Sequence, residues 1–193
     1  MTTDLKPPLT GIAIADWRDV LTVETVEIRN ARCRAFLEEL RWPQGIRCPR
    51  CASGQVTRVA SRRQIDCRAC RYRFSVTSGT YLHDSAVPLW KWLVAVSLLV
   101  ESEDGFPAHR LTGTIGVSYK TAWSLGHRVR AAMTATEPAG ASADPVSGSY
   151  HLVSEKYRDA YRGEQQWRAA NRTNPEAFAD ALRALLRSAP PRE

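Results

Sequence analysis

The chain has no long apolar stretch. Its most apolar run, residues 92–100, is far shorter than the about 20 residues that a bilayer-spanning helix needs, so it predicts a buried helix and no membrane partner. We find no signal peptide at the start of the sequence, and we therefore expect a cytoplasmic protein whose thiols stay reduced. The 193 residues suffice for one domain or two small ones.

Acidic residues are scarce in two parts of the sequence. Residues 46–80 contain eight arginines and a single acid, Asp66, so they account for the whole net charge of +7. Residues 107–133 contain no acid at all. A solubilising surface would mix both signs, whereas arginine-rich surface attracts a phosphate backbone. The charge distribution therefore favours nucleic acid, and specifically duplex DNA, as the partner.

Four cysteines form two CxxC pairs that are separated by fifteen residues: Cys48, Cys51, Cys67 and Cys70. Each pair can turn both thiolates toward one tetrahedral metal ion, and four thiolates leave no open coordination position for water. We predict one structural Zn²⁺ that supplies much of the folding free energy of this segment. Two disulfides or a thioredoxin-like redox pair are the alternatives; the lack of a signal peptide and of a βαβ pattern disfavours them.

The fifth cysteine, Cys33, lies on the apolar face of a predicted helix. This helix begins at a cap on Thr22 and ends near Leu40, with Val26 and Leu37 on the same face. Because the zinc site already has four ligands, we expect Cys33 to be a small buried hydrophobic residue rather than a fifth ligand.

Residues 107–133 predict a short helix, a glycine-containing turn and a second helix. Pro107 fits the first position of the short helix, and Ser118 fits the N-cap of a helix from Tyr119 to about Met133. This order is typical of a helix-turn-helix, whose second helix enters the major groove. Ordinary helical hairpins look similar, but the absence of acids favours DNA binding.

The residues that we expect to contact DNA lie on the second helix and on the cysteine-rich segment. They are Tyr119, Lys120, Thr121, Ser124, His127 and Arg128 of the helix, and Arg62, Arg63, Arg71 and Arg73 of the segment. For His127 two roles stay open at this point, a phosphate contact or a solvated helix position.

The predicted fold is mainly α-helical with a small β zinc ribbon. An apolar helix from Leu89 to about Glu101 opens the helix-turn-helix domain, and the last segment holds two helices, one beginning near Ser154 and one capped by Asn174. The predicted order is an N-terminal arm and helix (1–45), a zinc ribbon with three short strands (46–80), a helix-turn-helix domain (81–134), a flexible linker (135–150) and a C-terminal helical segment (151–193).

Several stretches of the chain resemble bacterial insertion-sequence transposases that begin with a zinc ribbon and a helix-turn-helix. The resemblance rests on FLEELRWP before the CPRC pair, on YRFSVTSGT at 72–80, on PLWKWL at 88–93, on GVSYKTAW at 116–123 and on RVR at 128–130. A weaker match, with YH at 150–151, VSEKY at 153–157 and then Tyr161, Glu164 and WR at 167–168, resembles the segment that closes the same transposases.

Between these matches the family carries an RNase H-like core, whose three acidic positions hold two metal ions. In this chain a linker of about sixteen residues stands in that place, and helices fill the rest of the sequence. Such a core needs carboxylates on separate strands. The resemblance therefore implies a transposase without its catalytic interior, and we expect no enzymatic activity. The acids after Met133 are expected to pair with arginines instead: Glu155, Asp159, Glu164, Glu176 and Asp180.

These observations favour a zinc-dependent, non-catalytic DNA-binding protein of the nucleoid that regulates transcription or transposition. A second copy of the chain or a full-length transposase is the expected protein partner. Three alternatives stay open: an accessory subunit of an active transposase complex, an adaptor whose ribbon binds another protein, and a remnant without a selected role.

Overall fold

The computed structural model describes residues 25–102, 108–135 and 154–189. These residues form six α-helices and one three-stranded antiparallel sheet, which confirms the predicted mainly helical fold with a small β ribbon. The elements are α1 (Val26–Arg41), β1 (Val56–Val59), β2 (Gln64–Cys67), β3 (Arg73–Phe74), α2 (Leu89–Glu101), α3 (Ala108–Ile115), α4 (Tyr119–Thr134), α5 (Glu155–Ala170) and α6 (Ala177–Leu185).

The zinc ribbon, residues 46–80, contains a sheet with the strand order β1-β2-β3. Val56 of β1 lies opposite Cys67 of β2, and Ile65 of β2 lies opposite Phe74 of β3. Ile65 and Phe74 are buried together with the first cysteine of each CxxC pair. Phe74 also contacts the Trp42 ring edge-on, with 5.9 Å between ring centroids. The ribbon therefore has a very small core that includes two of its own metal ligands.

The six helices, which we call the helical body, share one apolar core to which each of them contributes buried side chains. The central element is α2, which is buried along almost its whole length, including Trp92, Leu93 and Val96. Helix α6 adds Phe178 and Leu182 to the same core. No helix within residues 25–102, 108–135 and 154–189 has the length and apolar character needed to cross a membrane.

Helix α5 packs along α4 at a very short distance. A Cβ atom at Gly163 of α5 would lie 2.2 Å from Oγ1 of Thr134, so only glycine allows this approach. Further along the contact, the ring of Tyr157 lies 5.5 Å from that of Trp123. The C-terminal helices are therefore packed against the same core as α2 and α4.

Some predicted boundaries differ from the structure. The N-cap of α1 is Thr25, whereas the predicted cap, Thr22, lies outside the described residues. Val26, which we expected on the apolar face, is 48% exposed. Helix α4 extends to Thr134, and Asn174 accepts from the Glu176 N–H, one turn before α6 begins at Ala177. Pro107 and residues 136–150 of the predicted linker lie outside the described part.

Candidate zinc centre and nucleic-acid interface

The four predicted zinc ligands converge on one point. All four Sγ atoms lie within 4.8 Å of one another, and the Cys48–Cys70 and Cys51–Cys67 Sγ pairs are each 3.6 Å apart. Tetrahedral Zn–S bonds of about 2.3 Å place sulfur atoms about 3.8 Å apart, which matches these separations. Donor type, number and spacing fit one structural Zn²⁺ with a filled coordination shell.

The two knuckles that carry these thiols have the same backbone geometry. In the first, the Ala52 N–H donates to the Cys48 carbonyl at 2.8 Å, and the Cys48 N–H donates to Ser53. In the second, the Arg71 N–H donates to the Cys67 carbonyl at 2.9 Å, and the Cys67 N–H donates to Tyr72. Ala52 and Arg71 both have φ of 58°, a left-handed conformation that strains a side-chain-bearing residue. Folding of the two knuckles therefore includes two strained residues whose cost metal binding can offset.

Cys33, outside the site, and Cys48, inside it, differ in ionisation. Burial raises the pKa of the Cys33 thiol to about 12, so Cys33 stays a neutral, fully buried thiol in α1, as predicted. At Cys48 burial also acts to raise the pKa, but main-chain N–H groups, including that of Arg50, stabilise the thiolate and bring the pKa down to about 7. Cys48 thus favours the thiolate that metal binding requires. At Cys51 a main-chain hydrogen bond from Ser53 acts to lower the pKa, but hydrogen bonds with the other thiols raise it to about 12.

Six of the eight ribbon arginines fall into two groups. Three are occupied by polar partners on neighbouring elements: Arg58 pairs with Glu38 of α1, Arg73 Nε donates to Asp66 at 2.9 Å, and Arg68 Nε donates to Thr57 Oγ1 at 2.8 Å. The second group consists of exposed arginines that form no ion pair with any residue that the structure describes. These are Arg62, Arg63 and Arg71. Arg62 and Arg63 lie at the β1–β2 tip, whereas Arg71 lies beside the zinc site. Of the four ribbon arginines predicted to contact DNA, only Arg73 already has an acidic partner.

Helices α3 and α4 are joined by the predicted turn. Gly116 has φ of +58°, which allows the chain to reverse, and Lys91 Nζ of α2 donates to its carbonyl at 3.1 Å. The Ser118 side chain accepts from the Thr121 N–H at 3.2 Å, which confirms Ser118 as the N-cap of α4. The inward residues of α4, Ala122, Leu125 and Val129, are buried as predicted.

One side of α4 is open to solvent. Tyr119 is 63% exposed, and Lys120 and Ser124 are exposed beside it. Thr121 is partly buried, and its Oγ1 lies 2.9 Å from the Ser118 hydroxyl. We call Tyr119, Lys120 and Ser124 the open stripe of α4. Four of the six predicted helix contacts to DNA thus lie at or beside this stripe; DNA contact itself stays a prediction.

The other two predicted contacts, His127 and Arg128, are engaged within the protein. The His127 ring lies 3.9 Å from the Trp123 ring and 4.6 Å from the Tyr157 ring. Burial and then the charge of Arg130 lower the pKa of His127 to about 4, so the ring is neutral at pH 7. The His127 ring is therefore packed among aromatic side chains rather than freely solvated, and a phosphate contact from it stays a prediction.

Arg128 is held by the backbone that follows the ribbon. Its Nη1 donates to the carbonyl of His83 at 2.9 Å and to that of Tyr81 at 3.3 Å. The guanidinium is consequently committed to a contact inside the protein at the position where we expected a DNA contact.

The sequence predicted that Glu164 pairs with a neighbouring arginine, but it did not predict the contact with Arg130 of another helix. Glu164 of α5, fully buried, accepts from Arg130 Nε of α4 at 2.5 Å and lies 3.6 Å from Arg168 Nε. The Arg130 guanidinium also lies over the Tyr161 ring at 3.9 Å. All four residues belong to the stretches that carried the family resemblance, and the structure shows that those stretches pack together. The pairing of the C-terminal acids with arginines is also seen for Asp159, Glu176 and Asp180.

The fold and the four-cysteine site place the chain in one class of protein, in which a small three-stranded zinc ribbon is joined to a helical body. Comparison with known proteins makes this more specific. Residues 29–73, which contain most of α1 and both knuckles, match the family model of the transposase zinc-ribbon domain. Over 114 residues the chain is 32% identical to an uncharacterised protein of the transposable element ISH50 from Halobacterium salinarum. The aligned part covers 58% of this chain and 38% of that protein.

The ribbon is thus of the transposase type, and the chain is similar to a transposable-element protein of which it spans less than two fifths. That relative is archaeal, so the likeness is not restricted to the bacterial elements that the sequence motifs suggested. No solved structure gives a significant match to the chain.

Proposed function

We propose that this chain is a zinc-dependent, non-catalytic DNA-binding protein, similar to an insertion-sequence transposase without its catalytic core, that regulates transcription or transposition of related elements from the nucleoid. The observation that carries the proposal is the combination of exposed ribbon arginines with an acid-free helix pair whose second helix presents an open stripe.

In this function the two regions have different tasks. The open stripe of α4 enters the major groove, where Lys120 and Ser124 can donate to base edges and the Tyr119 ring can make apolar contact. Arg62, Arg63 and Arg71 of the ribbon donate to phosphate oxygens, which set affinity and register without selecting sequence. The zinc site keeps the ribbon folded so that its arginines stay in place.

The non-catalytic part of the proposal is supported by the ion pairs that the carboxylates of α5 and α6 form. Two-metal strand transfer needs carboxylates that meet at one point. In this chain Glu164 is neutralised by Arg130, Asp159 pairs with Arg162 at 3.1 Å, and Asp180 pairs with Arg183 at 2.6 Å. Each of these acids is paired with a nearby guanidinium.

The test is binding of the zinc-loaded protein to genomic duplex fragments across a salt series, with and without a strong chelator. We expect affinity that falls steeply with salt, that collapses on chelation, and that is highest for a subset of fragments. Lys120→Ala should weaken binding, whereas the matched variant Arg172→Ala, which removes one positive charge from the exposed turn before α6, should not. Binding that is no stronger than that of an unrelated basic protein would refute the proposal.

A protein-interaction adaptor is the second candidate, because Tyr119 and Trp123 of α4 are exposed aromatic side chains of the kind that protein interfaces use. Under this alternative Lys120→Ala leaves partner binding intact while the protein shows no preference among DNA fragments. The accessory-subunit alternative relied on free C-terminal helices, whereas α6 buries Phe178, Leu182 and Leu185 in its own core.

A further inference from the structure

Residues 75–83 connect the last strand of the ribbon to the helical body, and we call them the joint segment. Its own side chains form a compact set of turns, in which the Ser78 hydroxyl accepts from the Ser75 N–H at 2.8 Å and the Thr80 hydroxyl donates to the Thr77 carbonyl at 2.7 Å. Three other parts of the chain, far apart in sequence, donate to or accept from its main chain.

The first attachment comes from α1. Arg41 Nη1 donates to the Val76 carbonyl at 2.6 Å, and Nη2 donates to the Ser78 carbonyl at 2.9 Å. The guanidinium also lies over the Trp42 ring at 4.8 Å. Burial lowers the pKa of Arg41 to about 10, which leaves the side chain charged at neutral pH. Charge-assisted bonds of this kind are stronger than neutral ones.

The second attachment comes from α4, where Arg128 donates to the carbonyls of Tyr81 and His83. The third comes from the end of α6. The Tyr81 N–H donates to the Leu185 carbonyl at 3.2 Å, the Ala189 N–H donates to Gly79 at 3.1 Å, and Thr80 and Ser188 form an antiparallel bridge. The main chain of the joint segment is thus hydrogen-bonded to α1, to α4 and to the residues at the end of α6.

Resting on the DNA-binding function proposed above, we propose that Arg128 is a positioning residue: it locks the joint segment to α4 and thereby fixes the direction of the ribbon arginines relative to the open stripe. Two contact surfaces on one rigid unit reach DNA together at no further ordering cost, whereas surfaces joined by a loose hinge must be ordered on binding. Arg128 therefore raises affinity without touching a phosphate.

The orientation can be measured without DNA. Nitroxide labels on non-natural side chains at Ser61 of the ribbon tip and Ala131 of α4, both exposed, leave the zinc cysteines native. We expect one narrow distance distribution in the parent chain and a clearly broader one in Arg128→Ala, with helical content and zinc stoichiometry unchanged. Arg41→Ala should broaden it in the same way, and Arg172→Ala should not. An unchanged distribution in Arg128→Ala would overturn the proposal, whatever Arg41→Ala does.

DNA binding separates positioning from direct contact. Arg128→Ala should raise Kd on a bound duplex fragment by roughly tenfold, which corresponds to loss of about one strong interaction, while the slope of log K against log salt stays the same. A slope that decreases by about 0.9 means that Arg128 neutralises a phosphate, and the positioning role is then wrong. If the parent chain binds no duplex at any salt, the DNA-binding function fails, and the label distances still decide whether Arg128 locks the joint.

Discussion

The ribbon and the helical body lie in one chain but are stabilised by different interactions. In the ribbon the buried apolar set consists of Ile65 and Phe74 with two of the metal-ligating cysteines. In the helical body each helix contributes apolar side chains to a common core, and the charged residues inside it form the Arg130–Glu164 pair. One region depends on a metal ion and the other on packing, so a single perturbation should affect them unequally.

The largest effect should come from removing the metal. Cys67→Ser leaves three thiolates, and structural zinc in small ribbons contributes about 10 kcal/mol or more of folding free energy. We expect loss of bound zinc and collapse of the amide signals of residues 46–74 into the disordered range of a proton–nitrogen correlation spectrum. Signals of α2 and α4 should stay dispersed.

Cys33→Ala is the control for this experiment, since Cys33 is a buried thiol outside the site. It should keep full zinc stoichiometry. If Cys67→Ser also melted α2, the two regions would form one cooperative unit and the contrast between them would be wrong.

The next effect in size concerns the helical body alone. Glu164→Gln leaves Arg130, whose side chain is 3% exposed, without a counter-charge. Breaking one side of a buried ion pair costs about 3–5 kcal/mol, so the urea midpoint of the body should fall markedly while zinc stays bound.

Asp159→Asn on the same helix is the matched comparison. Its pair with Arg162 is solvent-exposed, so its loss should cost about 0.5 kcal/mol or less. Equal effects of the two substitutions would show that Glu164 is not a buried structural charge.

A smaller effect is expected from pH. The pKa of His127 is lowered below its ordinary 6.5, because burial and Arg130 disfavour the imidazolium. The unfolded chain therefore takes up a proton near pH 6.5 that the folded chain does not, and stability falls as pH decreases from about 7 toward the folded pKa. His127→Phe keeps an aromatic ring beside Trp123 and should flatten this fall. The measurement is the free energy of unfolding of both chains at pH 7 and pH 5.5; parallel losses would contradict the assignment.

The smallest expected effect is a change in the zinc affinity of the ribbon. Ala52→Gly relieves one left-handed residue, so zinc affinity in a chelator competition should rise by a few-fold, equivalent to about 1 kcal/mol. Ala69 of the second knuckle is not among the described residues with positive φ, so Ala69→Gly should give no gain. A gain from both substitutions would point to general loosening rather than relief of strain.

Much of the fold could be predicted because its signals are local. Pro88 before Leu89 and the serine cap at 118 gave the starts of α2 and α4, and the short β-type stretches 56–59 and 64–66 gave two strands. The paired spacing of four cysteines gave the zinc site. The predictions failed where a side chain had more than one suitable environment: Val26 fits the apolar face of α1, but at the first turn it is 48% exposed, whereas Cys33 and Leu37 on that face are buried.

The candidate interface shows the same limit. Exposed residues at the start of a capped helix follow from helical periodicity, so Tyr119, Lys120 and Ser124 could be identified in advance. His127 and Arg128 lie one turn further along, and periodicity alone does not show that Tyr157 and the Tyr81 carbonyl occupy the space beside them.

The sequence by itself thus determined the metal ligands, the order and approximate extent of the helices and the charge of the ribbon, since each depends on patterns within one short stretch of the chain. Only the tertiary structure decided that Glu164 neutralises Arg130 and that Arg41 and Arg128 attach to the joint segment. These contacts join residues 34 to 47 positions apart, and no local spacing encodes them. They form because the apolar core brings distant segments together, after which buried charges and carbonyls must find partners.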